Sequence, residues 1–181
     1  MKHYSHCPSC NITRRHFLRY LLPSLSLAIL STPKLALAET TAKALVLSCI
    51  DFEILEAERY FLSLQNLTNK YDFTALAGSS LALSGIPHQA DAQAFWDQLN
   101  LSYRLHHIGK VIILDHEGCS VYADKIDPNL SQDPEKERHV HAEYLSRAYW
   151  AIREVYPDLN IELYFVSLNA DVKAVTPLPK V

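Results

Sequence analysis

Two short stretches bring together side chains that could do chemistry: Cys49-Ile50-Asp51 and His116-Glu117-Gly118-Cys119. Two thiols, an imidazole and a carboxylate are the ligand types that Zn²⁺ selects. Each stretch closes an apolar run, Ala44 to Ser48 before the first and Val111 to Asp115 before the second. If the two runs are neighbouring strands of a parallel sheet, Cys49, Asp51, His116 and Cys119 converge at one sheet edge. The spacing His116-x-x-Cys119 lets a tight turn present two ligands to one ion, with Gly118 where that turn must bend. A bound zinc matters because it makes hydroxide available near neutral pH.

The surrounding sequence has to supply those strands, and it alternates between strand-like and helix-like segments. Ala44 to Ser48 is continuously apolar, as a strand buried on both faces should be. Residues 52–68 read as a helix with Ile54, Ala57, Phe61, Leu64 and Leu67 or Thr68 on one stripe. Tyr71 to Ala77 reads as a second strand, and 81–88, with Gly85 and Pro87, as a loop. A helix over 90–106 should turn Ala92, Phe95, Trp96, Leu99 and Tyr103 inward, before a third strand over 110–115. A short helical turn follows Cys119. Asp133-Pro134 then sets an N-cap with proline in the first helical position, for a helix running to Tyr156. Its expected buried stripe is Val140, Tyr144, Leu145, Ala148, Ile152 and Val155. The last strand spans 161–168, and the tail from Ala174 has no pattern. This order predicts an α/β fold with a mainly parallel central sheet of about four or five strands flanked by helices. In such sheets ligands bind beyond the carboxyl ends of the strands, where the strand order reverses.

Residues 1–38 read as a leader rather than as part of that domain. Arg14-Arg15 lies in a twin-arginine pattern, Thr13 to Arg19, followed by an apolar stretch over 20–30 and by Ala36-Leu37-Ala38. That arrangement predicts export by the twin-arginine route, with cleavage after Ala38, to the periplasm or an equivalent compartment. The apolar core is about half the roughly 20 residues of a spanning helix, which argues against an uncleaved anchor. The leader holds five of the 17 basic residues and none of the 20 acids, so the remainder carries a formal charge of −8 rather than −3. No basic patch is left to track phosphate, which disfavours nucleic acid as a partner. Residues 39–181 suit a single domain. Cys7 and Cys10 fall in the leader, leaving Cys49 and Cys119. In an exported protein these two could instead form a disulfide. A chain that folds before export could take up zinc in the reducing cytoplasm and so protect both thiols.

At these residues the sequence resembles the β-class carbonic anhydrases. That family carries Cys-x-Asp-x-Arg after its first strand and His-x-x-Cys after a later one; here they stand as Cys49-Ile50-Asp51-Phe52-Glu53 and His116-Glu117-Gly118-Cys119. Of the family's intervening Arg-Asn-Ala-Gly-Asn segment only Ala77-Gly78 matches. The resemblance covers roughly residues 43–175. It implies Cys49, His116 and Cys119 as zinc ligands, with water or Asp51 in the fourth position. It also implies reversible hydration of CO₂ to bicarbonate by zinc hydroxide, with Asp51 holding that hydroxide, and a homodimer or higher homo-oligomer.

The departure is Glu53, where the family has an Arg that pairs with the Asp. Asp51 without that partner is free to ligate the metal. The sequence therefore leaves two further functions open: a non-catalytic zinc-binding homologue closed by Asp51, and a hydrolase of another small CO₂-like electrophile. Arg59 lies about 240° around the same helix and faces the wrong way. Glu53 is also expected in the first helical turn, where the macrodipole favours an acid. His106-His107, His139 and His141 read as helix-end or solvent-facing residues, since neither spacing puts two rings on one helix face. Glu135-Lys136-Glu137-Arg138 reads as solvated surface. A Cys-His protease reading of Cys119 and His116 is poor, because one tight turn favours chelation.

Overall fold

The computed structural model describes residues 41–180. The twin-arginine leader, its cleavage site and Cys7 and Cys10 lie outside them. Within the described residues the elements are β1 (Ala44–Ser48), α1 (Leu55–Leu64), β2 (Tyr71–Ala75) and a 3-10 turn (Ser79–Ser84). Next come α2 (Gln89–Leu105), β3 (Lys110–His116) and α3 (Ser120–Lys125). A second 3-10 turn (Leu130–Gln132), α4 (Pro134–Val155), β4 (Asn160–Val166) and β5 (Val172–Ala174) complete the chain. The strands form one five-stranded sheet in the order β2-β1-β3-β4-β5. All neighbours run parallel except β4 and β5.

The apolar runs behave as doubly buried strands must. Successive side chains of a strand point to opposite faces. Ala44, Val46, Ile112 and Leu114 therefore join one core with Ile54 and Leu62, while Leu45, Leu47, Val111 and Ile113 join another with Phe95, Leu99 and Ile152. β1 and β3 are direct neighbours, with Val46 opposite Ile112 and Leu47 opposite Ile113. From β1 the chain first goes to β2 on one side and later to β3 on the other. The strand order thus reverses between β1 and β3, and Cys49 and His116 end those two strands.

Several boundaries differ from the pattern-based expectation, each for a local reason. α1 spans Leu55–Leu64 rather than 52–68. Its C-terminal end is set by Asn66 in the left-handed region (φ 57°) and by Leu67 N–H donating back to Leu62 O. Leu67 is buried but Leu64 is exposed, and the buried face carries Glu58 and Leu62 instead. The expected loop over 81–88 begins as a buried 3-10 turn, Ser79–Ser84. Val155 is exposed because it is the last residue of α4, one step before the chain leaves the helix.

The tail is also held. β5 pairs with β4, Val175 N–H donates to Leu163 O, Leu178 N–H to Ser146 Oγ and Trp150 Nε1–H to Leu178 O. Asp133 caps α4 as expected, accepting from Glu135 and Lys136 N–H with Pro134 behind it. No described helix is long and apolar enough to cross a membrane.

Candidate metal centre

The sheet edge brings three of the four sequence-selected residues into one cluster. One donor atom each from Cys49, His116 and Cys119 lies within 4.8 Å of the other two, and all three residues are buried. The two sulfurs are 4.0 Å apart and the cysteines are free thiols. A disulfide requires about 2.05 Å. Two Zn–S bonds of about 2.3 Å at the tetrahedral angle place their sulfurs about 3.8 Å apart. The observed separation therefore matches shared coordination of one ion.

The electrostatics agree with that chemistry. The hydrogen bond with Cys119 draws the Cys49 thiol well below the usual thiol range, against burial and with help from His116 and Gly78. Cys119 is pushed up in turn by the Cys49 thiolate and by burial. Gly78 N–H donates to Cys49 Sγ at 3.3 Å, from a backbone at φ +82° that a glycine adopts without strain. Burial pulls the His116 imidazole down, but the neighbouring Cys49 thiolate raises it on balance.

His116 Nδ1 lies 2.9 Å from Glu117 O, a carbonyl that can only accept, so Nδ1 carries the hydrogen and Nε2 presents its lone pair. That Nε2 is buried and has no hydrogen-bond partner. A buried, unpartnered imidazole nitrogen beside two thiols fits the donor set of a metal ion.

Asp51 stands beside the cluster rather than in it. Its Oδ2 is 4.0 Å from His116 Nε2, and its Oδ1 accepts from Glu53 N–H at 3.1 Å. Among the described residues no arginine pairs with it. Arg59 is exposed and pairs with Glu56. Glu53 is exposed and lies ahead of α1, so it is not in the first helical turn; the acids there are Glu56 and Glu58.

Sequence patterning missed three buried polar groups around this site. Glu58 lies 1% exposed, takes the Ser48 hydroxyl as donor, and burial pushes its carboxyl up to about 7 despite that hydrogen bond. Glu137, expected on a solvated surface, is buried and accepts Gly118 N–H at 2.8 Å. His141, expected to face solvent, is fully buried and donates from Nδ1 to Asp115 Oδ2 at 2.9 Å. Asp115 also accepts Ser80 N–H (3.0 Å), Ser80 O–H (2.6 Å) and Tyr122 O–H (2.8 Å). Burial would raise its carboxyl, but the His141 partner and the Ser80 donors hold it below the usual range. Of the other histidines, His106 Nδ1 lies 2.7 Å from Asp72 Oδ2 and His139 Nε2 lies 3.2 Å from Glu143 Oε1.

Residues 39–176 match the profile of the family described as "Putative carbonic anhydrase". The chain belongs to that family. An uncharacterized protein of Rickettsia conorii is 28% identical over 138 residues, covering 76% of this chain and 74% of the relative. Among solved structures, carbonic anhydrase from Glaciozyma antarctica superposes with a TM-score of 0.50 at 13% identity, over 75% of this chain and 83% of the other. The β-carbonic anhydrase CafA of Aspergillus fumigatus superposes with a TM-score of 0.50 at 12% identity, over 77% of each chain. At such identities the likeness is one of fold: the α/β architecture with a mostly parallel five-stranded sheet is that of β-carbonic anhydrases.

Proposed function

We propose that this protein is an exported, zinc-dependent β-type carbonic anhydrase that interconverts CO₂ and bicarbonate. The observation that carries this reading is the convergence of Cys49, His116 and Cys119 at the strand-order reversal, with their sulfurs spaced for one tetrahedral ion. Cys49, Cys119 and His116 Nε2 would hold the metal. Bound zinc lowers the pKa of water toward neutrality and so supplies the oxygen nucleophile that CO₂ needs.

The chain's own residues set the conditions for that chemistry. The Glu117 carbonyl fixes the His116 tautomer, and the Gly78 amide tempers the Cys49 thiolate charge. Asp51 is the group in place to accept and hold a proton beside His116 Nε2. Its orientation comes from the Glu53 backbone amide, an Asx-type turn, which does part of the anchoring that an arginine side chain gives elsewhere in the family. Export by the twin-arginine leader and self-association into a homo-oligomer belong to the same proposal. Cell fractionation with Arg14→Lys and Arg15→Lys together, and sedimentation of the purified chain, test these two points.

A second reading is favoured by one observation, the lack of an arginine partner for Asp51 among the described residues. A carboxylate free of such a partner can close the coordination sphere, giving a zinc-binding protein without hydration activity. Stopped-flow CO₂ hydration on the zinc-loaded full chain separates the two. Hydration above the buffer rate at pH 7 to 9 supports the enzyme. One zinc per chain with no hydration supports the closed site, and activity confined to another small electrophile, such as a carbon–sulfur analogue of CO₂, supports a hydrolase.

A further inference from the structure

The His116–Cys119 arm is bonded to α4 near both of its ends. Asp115 directly precedes His116, and Gly118 directly precedes Cys119. Each of these two residues is tied to α4, Asp115 through His141 Nδ1 (2.9 Å) and Gly118 N–H through Glu137 Oε1 (2.8 Å). Glu137 and His141 are four residues apart, so they stand one above the other on a single helix face. Both are buried, at 3% and 0% exposure. An acid and an imidazole on the inward face of a helix carry a desolvation cost that apolar residues would avoid. Here that cost is offset by bonds to the two ends of one four-residue segment.

We infer that Glu137 and His141 are positioning residues that make α4 the clamp on the metal-binding arm. The geometry around them shows why two grips are needed. Gly118 has φ +72°, and a Cβ there would meet only Leu168 Cδ1 at an ordinary 3.5 Å. The turn is therefore constrained by its backbone conformation rather than by packing, and the Glu137 carboxylate supplies the missing restraint on its amide. At the other end His141 does not act alone. Its ring lies against that of Tyr122, with centroids 3.8 Å apart and planes inclined by 34°, and Tyr122 donates to the same Asp115 oxygen. Ser80 reaches Asp115 from the 3-10 turn that follows Gly78, whose amide donates to Cys49, so the Asp115 junction also registers the two halves of the site against each other.

The inference rests on the zinc reading, and its test is the rate at which the ion leaves rather than turnover. The full chain and its variants are loaded with Zn²⁺, and release to a chromogenic chelator is followed after mixing; Co²⁺-loaded samples give the d–d spectrum of the site. Partners that orient metal ligands typically affect metal affinity about 10–100-fold, so Glu137→Ala and His141→Ala should each speed release by about that factor and alter the Co²⁺ bands. Glu137→Gln, which keeps an acceptor oxygen for Gly118 N–H, should recover most of the retention. Glu143→Ala, at a half-exposed position of the same helix, should match the wild type. Because both residues grip one arm, the double variant should depart from additivity.

Thermal midpoints of the metal-free chains separate positioning from folding. Faster release in variants whose metal-free midpoints stay near that of the wild type supports the clamp. Lowered midpoints with unchanged release and unchanged Co²⁺ bands would show a merely structural role and overturn it. A wild-type chain that takes up neither metal would overturn the zinc reading, and the clamp with it.

Discussion

The two arms of the site are built differently. The arm after β3 carries His116 and Cys119, both buried, with Asp115, Glu117 and Gly118 each bonded to another segment. The arm after β1 buries Cys49 and then opens, with Ile50 65% and Phe52 83% exposed on either side of Asp51. Asp51 there is held by one local hydrogen bond, to the Glu53 amide. Retaining an ion calls for a fixed, dry donor set, whereas handling a proton or admitting a small substrate calls for access to solvent. Under the proposed function, holding falls to the β3 arm together with Cys49, and chemistry to Asp51.

The largest effect should come from the β3 arm. Cys119→Ser or His116→Ala removes a ligand, so zinc content by elemental analysis should fall well below one per chain and hydration should drop to the buffer rate. Retention of a full equivalent of zinc by both variants would break the comparison at its root. Asp51→Asn should behave otherwise, keeping its zinc while hydration slows by about 10²–10⁴-fold, the range for loss of a positioned acid–base group. Loss of zinc from Asp51→Asn would instead make Asp51 a holding ligand and erase the distinction between the arms.

A smaller change should follow from Glu53→Arg, which supplies a cation next to Asp51 and should raise hydration several-fold, as a charge pair that keeps the carboxylate off the metal would. Equal or lower activity would show that the Glu53 amide already orients Asp51 sufficiently. The smallest effect concerns the buried side of the Cys49 arm. The Glu58 carboxyl is raised from 4.5 to about 7, so the folded chain binds more protons than the unfolded chain between those values. Its contribution to stability is full below about 4.5 and is lost as pH rises through about 7. Glu58→Gln should flatten that part of the urea-stability profile. A wild-type profile with no decline across this window would contradict the assignment.

The holding half of the site was legible because strand burial leaves a strong pattern. Continuous apolar runs located the ends of β1 and β3, and those ends placed Cys49, His116 and Cys119 together. The helix face that grips them was not legible. Glu137 and His141 look like surface residues in a charged helical stretch, and their burial depends on partners 19 and 26 residues away in sequence. Glu58 was hidden the same way by Ser48, whose hydroxyl lies at the end of a strand otherwise read as apolar. The docked tail left no signal either, since its anchors are backbone groups of Leu178 meeting Ser146 and Trp150. Periodicity reports which face is apolar; it is silent about a polar side chain that is buried because one specific donor or acceptor awaits it.

The most direct test of the site is zinc X-ray absorption on the zinc-loaded full chain, with thiols counted in parallel. The site should hold one zinc per chain, coordinated by two sulfurs at about 2.3 Å, one imidazole nitrogen and one oxygen. A spectrum without sulfur scatterers, or a chain that binds no zinc and carries a Cys49–Cys119 disulfide, would contradict it.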